Sequence, residues 1–219
     1  MFVKICGITS AADAEAAVEA GADAIGLNFA LMSRRRIDLD QARAIMDAVR
    51  DQVLVVGVFR DDLAREVLEV VEDLDLRAVQ LHGSETPQTS QAVHDTAPVL
   101  IRALPAGDPQ LSSIDDHGAD VVLLDAPTPG GGEPFDWTLV GDLTRRARVL
   151  LAGGLRPDNV AEAIAAVQPW GVDTASGVES SIGRKDAGAV REFVAAAKAA
   201  PLPADATPHP PLADLWTPR

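Results

Sequence analysis

The hydrophobic positions of this chain follow a pattern that repeats along most of its length. A short run rich in Val, Ile and Leu is followed by a polar turn, then by an Ala-rich stretch with helical spacing. The pattern predicts eight strands, at Phe2–Cys6, Asp23–Phe29, Val53–Phe59, Ala78–His82, Val99–Ala103, Val121–Asp125, Val149–Ala152 and Gly171–Thr174. It also predicts helices at Ser10–Ala20, Leu39–Arg50, Asp61–Leu74, Ser84–Thr96, Pro109–His117, Asp136–Arg146, Pro157–Val167 and Asp186–Ala199.

This alternation defines the fold class. Strands that alternate with helices pair in parallel and carry the helices on the outside of the sheet. Eight such units predict an α/β protein with a closed (β/α)8 barrel, and a doubly wound open sheet is the alternative. We expect one catalytic barrel over residues 1–200. Residues 201–219 include six prolines and are predicted to form a tail beyond it.

Composition and charge narrow the range of partners. The 33 acidic and 19 basic residues give a formal net charge of −14, which disfavours nucleic acid and anionic membranes. The apolar run Val53–Phe59 is far shorter than the roughly 18 residues of a membrane span. Cys6 is the only cysteine, and the chain starts with a strand-like run rather than a signal peptide. We therefore expect a cytoplasmic protein with no nucleic-acid or membrane partner.

Two reactive side chains fall at strand ends, where barrels of this kind place their active sites. Cys6 ends the first strand and shares a face with Lys4, while Asp125 ends the sixth. A lone cysteine is more often a small buried hydrophobe, and a lone aspartate more often a cap. Together on one rim, however, they offer a thiol and a carboxyl for acid–base chemistry.

Glycine-rich turns follow the last three strands, at Gly130–Gly132, Gly153–Gly154 and Ser176–Gly177. One Gly-Gly pair is usually just a tight turn. Barrel enzymes, however, often bind phosphate with the loops after strands seven and eight. A small phosphorylated ligand is therefore the predicted partner.

Basic and polar side chains follow the second and fourth strands. The loop after the second strand contains three arginines, Arg34, Arg35 and Arg36. They either are exposed to solvent or bind a carboxylate or phosphate. Gln80 and His82 share a strand face and either line the pocket or cap the strand.

Several motifs together identify a family. They are Lys4-Ile5-Cys6-Gly7-Ile8-Thr9, Val56-Gly57-Val58-Phe59, Val79-Gln80-Leu81-His82-Gly83, Phe135-Asp136-Trp137, Leu151-Ala152-Gly153-Gly154-Leu155 with Asn159-Val160, and Val172-Asp173 through Ser176-Gly177-Val178-Glu179 to Lys185-Asp186. In this order, from Met1 to about Ala200, the chain resembles phosphoribosylanthranilate isomerase.

The resemblance implies a reaction and a role for each motif residue. The reaction is the Amadori rearrangement of N-(5-phosphoribosyl)anthranilate to 1-(2-carboxyphenylamino)-1-deoxyribulose 5-phosphate in tryptophan biosynthesis, without metal or cofactor. It implies Cys6 as general base, Asp125 as general acid, and Arg35 as the contact of the anthranilate carboxylate. Further implied binding residues are Gly154, Ser176 and Gly177 for phosphate, and Asp173 in the pocket; Gln80 and His82 are also expected to bind substrate.

Two loops depart from the family pattern. Arg36 stands where the family usually has an aromatic residue, and Phe29-Ala30-Leu31-Met32 lacks the usual proline before Ser33. Gly130-Gly131-Gly132-Glu133 replaces the usual Gly-Gly-Thr/Ser-Gly. These changes bear on substrate affinity and loop closure more than on the chemistry.

Three other functions stay open at this point. A phosphoribosyl isomerase of histidine biosynthesis, or an enzyme using both substrates, is related, but such enzymes use an aspartate where this chain has Cys6. A Schiff-base aldolase would need Lys4, the only lysine on a predicted strand. A non-catalytic binding protein would need neither Cys6 nor Asp125. We expect a monomer or a weak homodimer.

Overall fold

Eight parallel strands form a closed barrel at the centre of the molecule. The computed structural model describes residues 1–49, 51–127 and 135–201 of the chain. Each strand pairs in parallel with the next, and the eighth pairs with the first, so the open-sheet alternative is excluded. The predicted α/β barrel is confirmed. The strands are β1 Phe2–Cys6, β2 Ala24–Asn28, β3 Leu54–Phe59, β4 Ala78–Leu81, β5 Val99–Pro105, β6 Val121–Asp125, β7 Val149–Leu151 and β8 Gly171–Thr174.

Helices cover the outside of the barrel. They are α1 Ala11–Glu19, α2 Leu39–Val49, α3 Ala64–Leu74, α4 Pro87–His94, α5 Leu143–Arg146, α6 Val160–Val167 and α7 Ala187–Ala199. Side-chain caps set several of the starts. The Ser10 hydroxyl accepts from the backbone N–H of Asp13 at α1, and the Asp186 carboxylate accepts from the N–H groups of Gly188 and Ala189 at α7.

Two of the predicted helices differ from the expectation. Pro109–His117 is a 3-10 segment with non-helical backbone at Ser113, and the hydroxyls of Ser112 and Ser113 bond back to carbonyls three residues earlier. Such bonds compete with regular helix formation. The predicted helix at 136–146 divides into a 3-10 turn, Trp137–Val140, and the single turn of α5. Gly141, with φ of 59°, separates them.

The apolar core has two layers because side chains alternate along each strand. One set packs inside the barrel, and the other packs between the strands and the helices. Members of the interior set include Leu54, Val56, Ile101, Leu123 and Leu150. The aromatic rings of Phe2 and Trp170 stack 4.4 Å apart and pack against the interior set.

On four strands, the same alternation places a polar residue on the interior face at the carboxyl end of the strand. Cys6 follows Phe2 and Lys4 on β1, Gln80 follows Ala78 on β4, Asp125 follows Val121 and Leu123 on β6, and Asp173 follows Gly171 on β8. The apolar interior therefore forms a floor, and these side chains stand above it at the carboxyl ends of the strands.

A short antiparallel hairpin after β8 was not predicted. It consists of β9 Glu179–Ser181 and β10 Arg184–Lys185. The Gly130–Glu133 loop and residues 202–219 of the expected tail lie outside the described residues. Among the described residues, no helix has the length and apolar character needed to span a membrane.

Candidate active site

A cavity of about 850 Å³ opens at the carboxyl ends of the strands. This is within the size range of small-molecule sites. The predicted site residues that line it are Cys6, Arg35, Gln80, His82, Asp125, Gly154, Asp173 and Ser176. Gly177 follows Ser176 directly in the chain but is not among the lining residues.

Three buried ionisable groups meet on β1 and β8. Lys4 and Asp173 are direct register partners, and Lys4 Nζ lies 3.0 Å from Asp173 Oδ1. A Cβ at Gly26 on β2 would lie 2.7 Å from Cys6 Sγ and 3.3 Å from Lys4 Nζ. The thiol and the ammonium thus face the same glycine, and a side chain there would displace them.

These groups perturb one another electrostatically. Burial raises the pKa of the Cys6 thiol and outweighs the opposing positive charge of Lys4. Burial likewise raises the pKa of Asp173, although Lys4 opposes that rise. Burial alone would lower the pKa of Lys4, but the charges of Asp173 and Cys6 raise it. Lys4 is therefore held as a cation between two acids, and ionisation of Cys6 depends on it.

Asp125 presents one carboxylate oxygen to the cavity. Its Oδ1 accepts a hydrogen bond of 2.8 Å from the backbone N–H of Ala126, and its Oδ2 lies 3.5 Å from His82 Nε2. The Gln80 amide nitrogen lies 3.0 Å from His82 Nδ1 and can only donate. The proton of a neutral His82 ring is therefore on Nε2, facing Asp125.

Two buried polar atoms in this group lack a hydrogen-bond partner among the described residues. Within the described part of the chain, Gln80 Oε1 and His82 Nε2 make no hydrogen bond. Both residues line the cavity, and buried polar atoms are normally hydrogen-bonded. A ligand with hydroxyl groups would supply the missing partners.

Arg35 is the one arginine of its triplet that lines the cavity. The Ser33 hydroxyl accepts from the Arg35 backbone N–H at 3.1 Å and holds the loop after β2. Arg34 and Arg36 are exposed. The Arg35 stem crosses Gly7, where a Cβ would collide with Arg35 Cδ. Gly7, with φ of 73°, therefore provides both the turn after Cys6 and room for this arginine.

The loops after β7 and β8 pack closely against each other. Gly153 and Gly154 have φ of 83° and 68°, which favours glycine at both positions. The Thr174 hydroxyl donates to the Leu155 carbonyl at 2.7 Å, and a Cβ at Gly177 would collide with that carbonyl oxygen. Gly154 and Ser176 both line the cavity, and small residues in these loops leave room for an anion to approach backbone N–H groups.

Sequence reasoning missed a buried ion pair that supports the loop after β4. Arg102 is fully buried; its guanidinium donates to Glu85 at 3.0 Å and to the carbonyls of Leu81 and Gly83 at 2.9 and 2.6 Å. Glu85 in turn accepts from the backbone N–H of Asp61. The pair therefore connects the loop after β3 with the loop after β4, which follows His82. An arginine inside the apolar run of β5 was the available signal.

A thiol, a carboxyl group, an arginine and two glycine-containing turns thus share one cavity. Across residues 1–49, 51–127 and 135–201, no cluster of three or more His, Cys, Asp or Glu residues could hold a metal ion. The fold and the site together define a (β/α)8-barrel enzyme of the acid–base class, suited to a small anionic substrate.

The chain belongs to the N-(5'-phosphoribosyl)anthranilate isomerase family, whose model matches residues 3–196, and the predicted family is confirmed. A relative of that name from Trichlorobacter lovleyi is 45% identical over 205 residues, covering 90% of this chain and 98% of the relative. The crystal structure of phosphoribosyl anthranilate isomerase from Thermus thermophilus has a TM-score of 0.82 and 41% identity, covering 90% and 98% of the two chains. Another, in complex with reduced 1-(o-carboxyphenylamino)-1-deoxyribulose 5-phosphate, has a TM-score of 0.81 and 36% identity with the same coverage.

Proposed function

We propose that this chain carries out the reaction of its family, with Cys6 as general base and Asp125 as general acid. The reaction is the Amadori rearrangement of N-(5-phosphoribosyl)anthranilate to 1-(2-carboxyphenylamino)-1-deoxyribulose 5-phosphate. The observation that carries the assignment is the placement of both side chains on one cavity, although they come from β1 and β6. Such a pair serves a reaction that adds a proton at one atom and removes one at another.

The first step is ring opening. Asp125 Oδ1 is already bonded to a backbone N–H, so Oδ2 is the oxygen that holds the transferable proton. A protonated Asp125 donates it to the furanose ring oxygen as the C1′–O bond breaks, which leaves a protonated Schiff base at C1′. His82 Nε2 lies 3.5 Å from Oδ2, so the imidazole ring stands beside the carboxyl group.

The second step removes the proton at C2′. Cys6 as thiolate takes this proton, and the electron pair of the C–H bond moves to the C1′–N unit to give an enolamine. The enolamine then gains a proton at C1′ and loses one from the C2′ hydroxyl, so the product is an isomer of the substrate. Burial raises the pKa of the thiol, so the charge of Lys4 is what makes the thiolate accessible.

The remaining groups bind the two ends of the substrate. We assign the phosphate to the backbone at Gly154, Ser176 and Gly177, and the anthranilate carboxylate to Arg35. The unpaired Gln80 Oε1 suits a ribose hydroxyl as donor. Holding both ends fixes the reacting carbons between acid and base, which is a large part of enzymatic rate enhancement.

The test is an assay of the purified chain with two substrates: N-(5-phosphoribosyl)anthranilate and the phosphoribosyl intermediate that the related histidine-pathway isomerase opens. We expect turnover of the first. The proposal fails if the first substrate is not converted, and conversion of the second alone would instead indicate the histidine-pathway activity. We further propose that the protein is cytoplasmic and that it is a monomer or a weak homodimer. Light scattering after gel filtration measures the oligomeric state.

A further inference from the structure

The hairpin after β8 places two charged residues beside the site. Glu179 and Lys185 are register partners across β9 and β10. The hairpin is tied to the loop after β1, because the Thr9 hydroxyl donates to the Gly183 carbonyl. The side chains of Glu179 and Lys185 are 4% and 0% exposed, so the two groups meet inside the protein rather than in solvent.

Glu179 holds one edge of the Arg35 guanidinium. Arg35 Nε donates to Oε1 at 2.6 Å and Nη2 donates to Oε2 at 2.8 Å. Lys185 Nζ donates to the same Oε1 at 3.1 Å and to the Ala175 carbonyl at 2.9 Å. Burial would raise the pKa of Glu179, but its two cationic partners lower it, so Glu179 is a carboxylate.

The geometry of a guanidinium decides what this pairing means. The group has two edges that can each grip a carboxylate through two N–H bonds: Nε with Nη2, and Nη1 with Nη2. Glu179 occupies the first edge. Nη1 makes no hydrogen bond to a described residue, so the second edge is free for a ligand, and Arg35 is one of the residues that line the cavity.

The net charge of Arg35, Glu179 and Lys185 also favours binding of an anion. Arg35 and Glu179 alone would be neutral and would attract an anion weakly. Burial lowers the pKa of Lys185 and the charge of Glu179 opposes this; with Lys185 protonated, the three groups carry a net charge of one positive unit. A bidentate anchor thus fixes the arginine without cancelling its attraction for a carboxylate ligand.

We propose that Glu179 and Lys185 are positioning residues that aim the free edge of Arg35 at the substrate carboxylate. This inference rests on the proposed function, which supplies the carboxylate ligand. They act through Arg35, not on the reacting carbons. Loss of either should therefore change KM for N-(5-phosphoribosyl)anthranilate more than kcat.

Glu179→Gln separates positioning from simple electrostatics. The amide keeps the shape but removes one negative charge, so a purely electrostatic role predicts tighter anion binding and a lower KM. Loss of the bidentate anchor predicts the opposite: we expect KM to rise roughly five- to 20-fold, with kcat within about threefold. The matched control is Glu192→Gln, the same substitution at an exposed position of α7, which should change neither KM nor kcat.

Two further measurements make the test decisive. In an Arg35→Met background, Glu179→Gln should raise KM less than twofold, because a residue that acts through Arg35 has nothing left to position. If Glu179→Gln does not fold by circular dichroism, Lys185→Met is measured instead, and a rise of similar size is expected. An unchanged or lower KM in the folded variant, or full additivity with Arg35→Met, overturns the inference. Lack of turnover by the unsubstituted chain would instead overturn the proposed function.

Discussion

Replacing Asp125 with asparagine tests the acid without disturbing its surroundings. The amide oxygen can keep the 2.8 Å hydrogen bond from the Ala126 backbone, and the NH2 group then faces His82 and the cavity. The shape and the hydrogen bond from Ala126 are preserved, so substrate binding should be nearly unchanged. Only the transferable proton is lost.

The size of the effect follows from that single loss. A positioned general acid contributes about 10²–10⁴-fold to a rate. The His82 ring, whose Nε2 lies 3.5 Å from Oδ2, is a neighbouring group that can supply a proton in place of the lost acid, so we expect the lower half of this range. A loss of roughly 10²–10³-fold in kcat corresponds to about 2.7–4.1 kcal/mol of transition-state stabilisation.

The assay is the initial rate with N-(5-phosphoribosyl)anthranilate across a range of substrate concentrations. Melting temperature is followed in parallel, and a change of no more than about 2–4 °C would show an intact fold. Asp51→Asn, at an exposed site after α2, is the matched control. A kcat for Asp125→Asn within threefold of the unsubstituted chain would refute the assignment of Asp125 as the acid.

Three other perturbations examine the base, the carboxylate contact and the support of the β4 loop. Burial raises the pKa of the Cys6 thiol and the charge of Lys4 opposes this rise, so kcat/KM should keep increasing with pH to above the ordinary thiol pKa. Lys4→Met should shift this rising part of the pH profile to higher pH. A shift to lower pH would contradict the role of Lys4. Arg35→Met should raise KM about ten- to 150-fold, the equivalent of one charge-assisted contact, while the same change at its two arginine neighbours should do much less; steady-state kinetics of the three variants decide this. Arg102→Met leaves Glu85 buried without its cation and should cost about 3–5 kcal/mol of unfolding free energy in urea titrations; a cost below about 1 kcal/mol would show that the pair contributes little.

The strands could be read from the sequence because each is a short apolar run that ends in a polar turn. Phe2–Cys6, Val121–Asp125 and Gly171–Thr174 have the predicted bounds. The alternation of side chains also predicted that Cys6 and Asp125 would face one rim. That prediction needed only the period of a strand and the closure of the barrel.

The rest depended on contacts between distant segments. Nothing local marks Glu179 as the partner of Arg35, since 144 positions separate them and the hairpin carrying Glu179 has only short strands. The broken helix at 136–146 arises from the backbone at Gly141, whose φ of 59° depends on how the segment packs and cannot be read from the apolar spacing. The raised pKa of Cys6 was also not foreseeable, because it depends on how deeply the barrel buries the thiol.

The most direct test of the central claim compares the unsubstituted chain with Cys6→Ser in the conversion of N-(5-phosphoribosyl)anthranilate. A serine hydroxyl is nearly the same shape but a far poorer base near neutrality. We predict turnover by the unsubstituted chain, and a loss of at least about 10²-fold in kcat with little change in KM for folded Cys6→Ser. Near-normal turnover by Cys6→Ser would contradict the account.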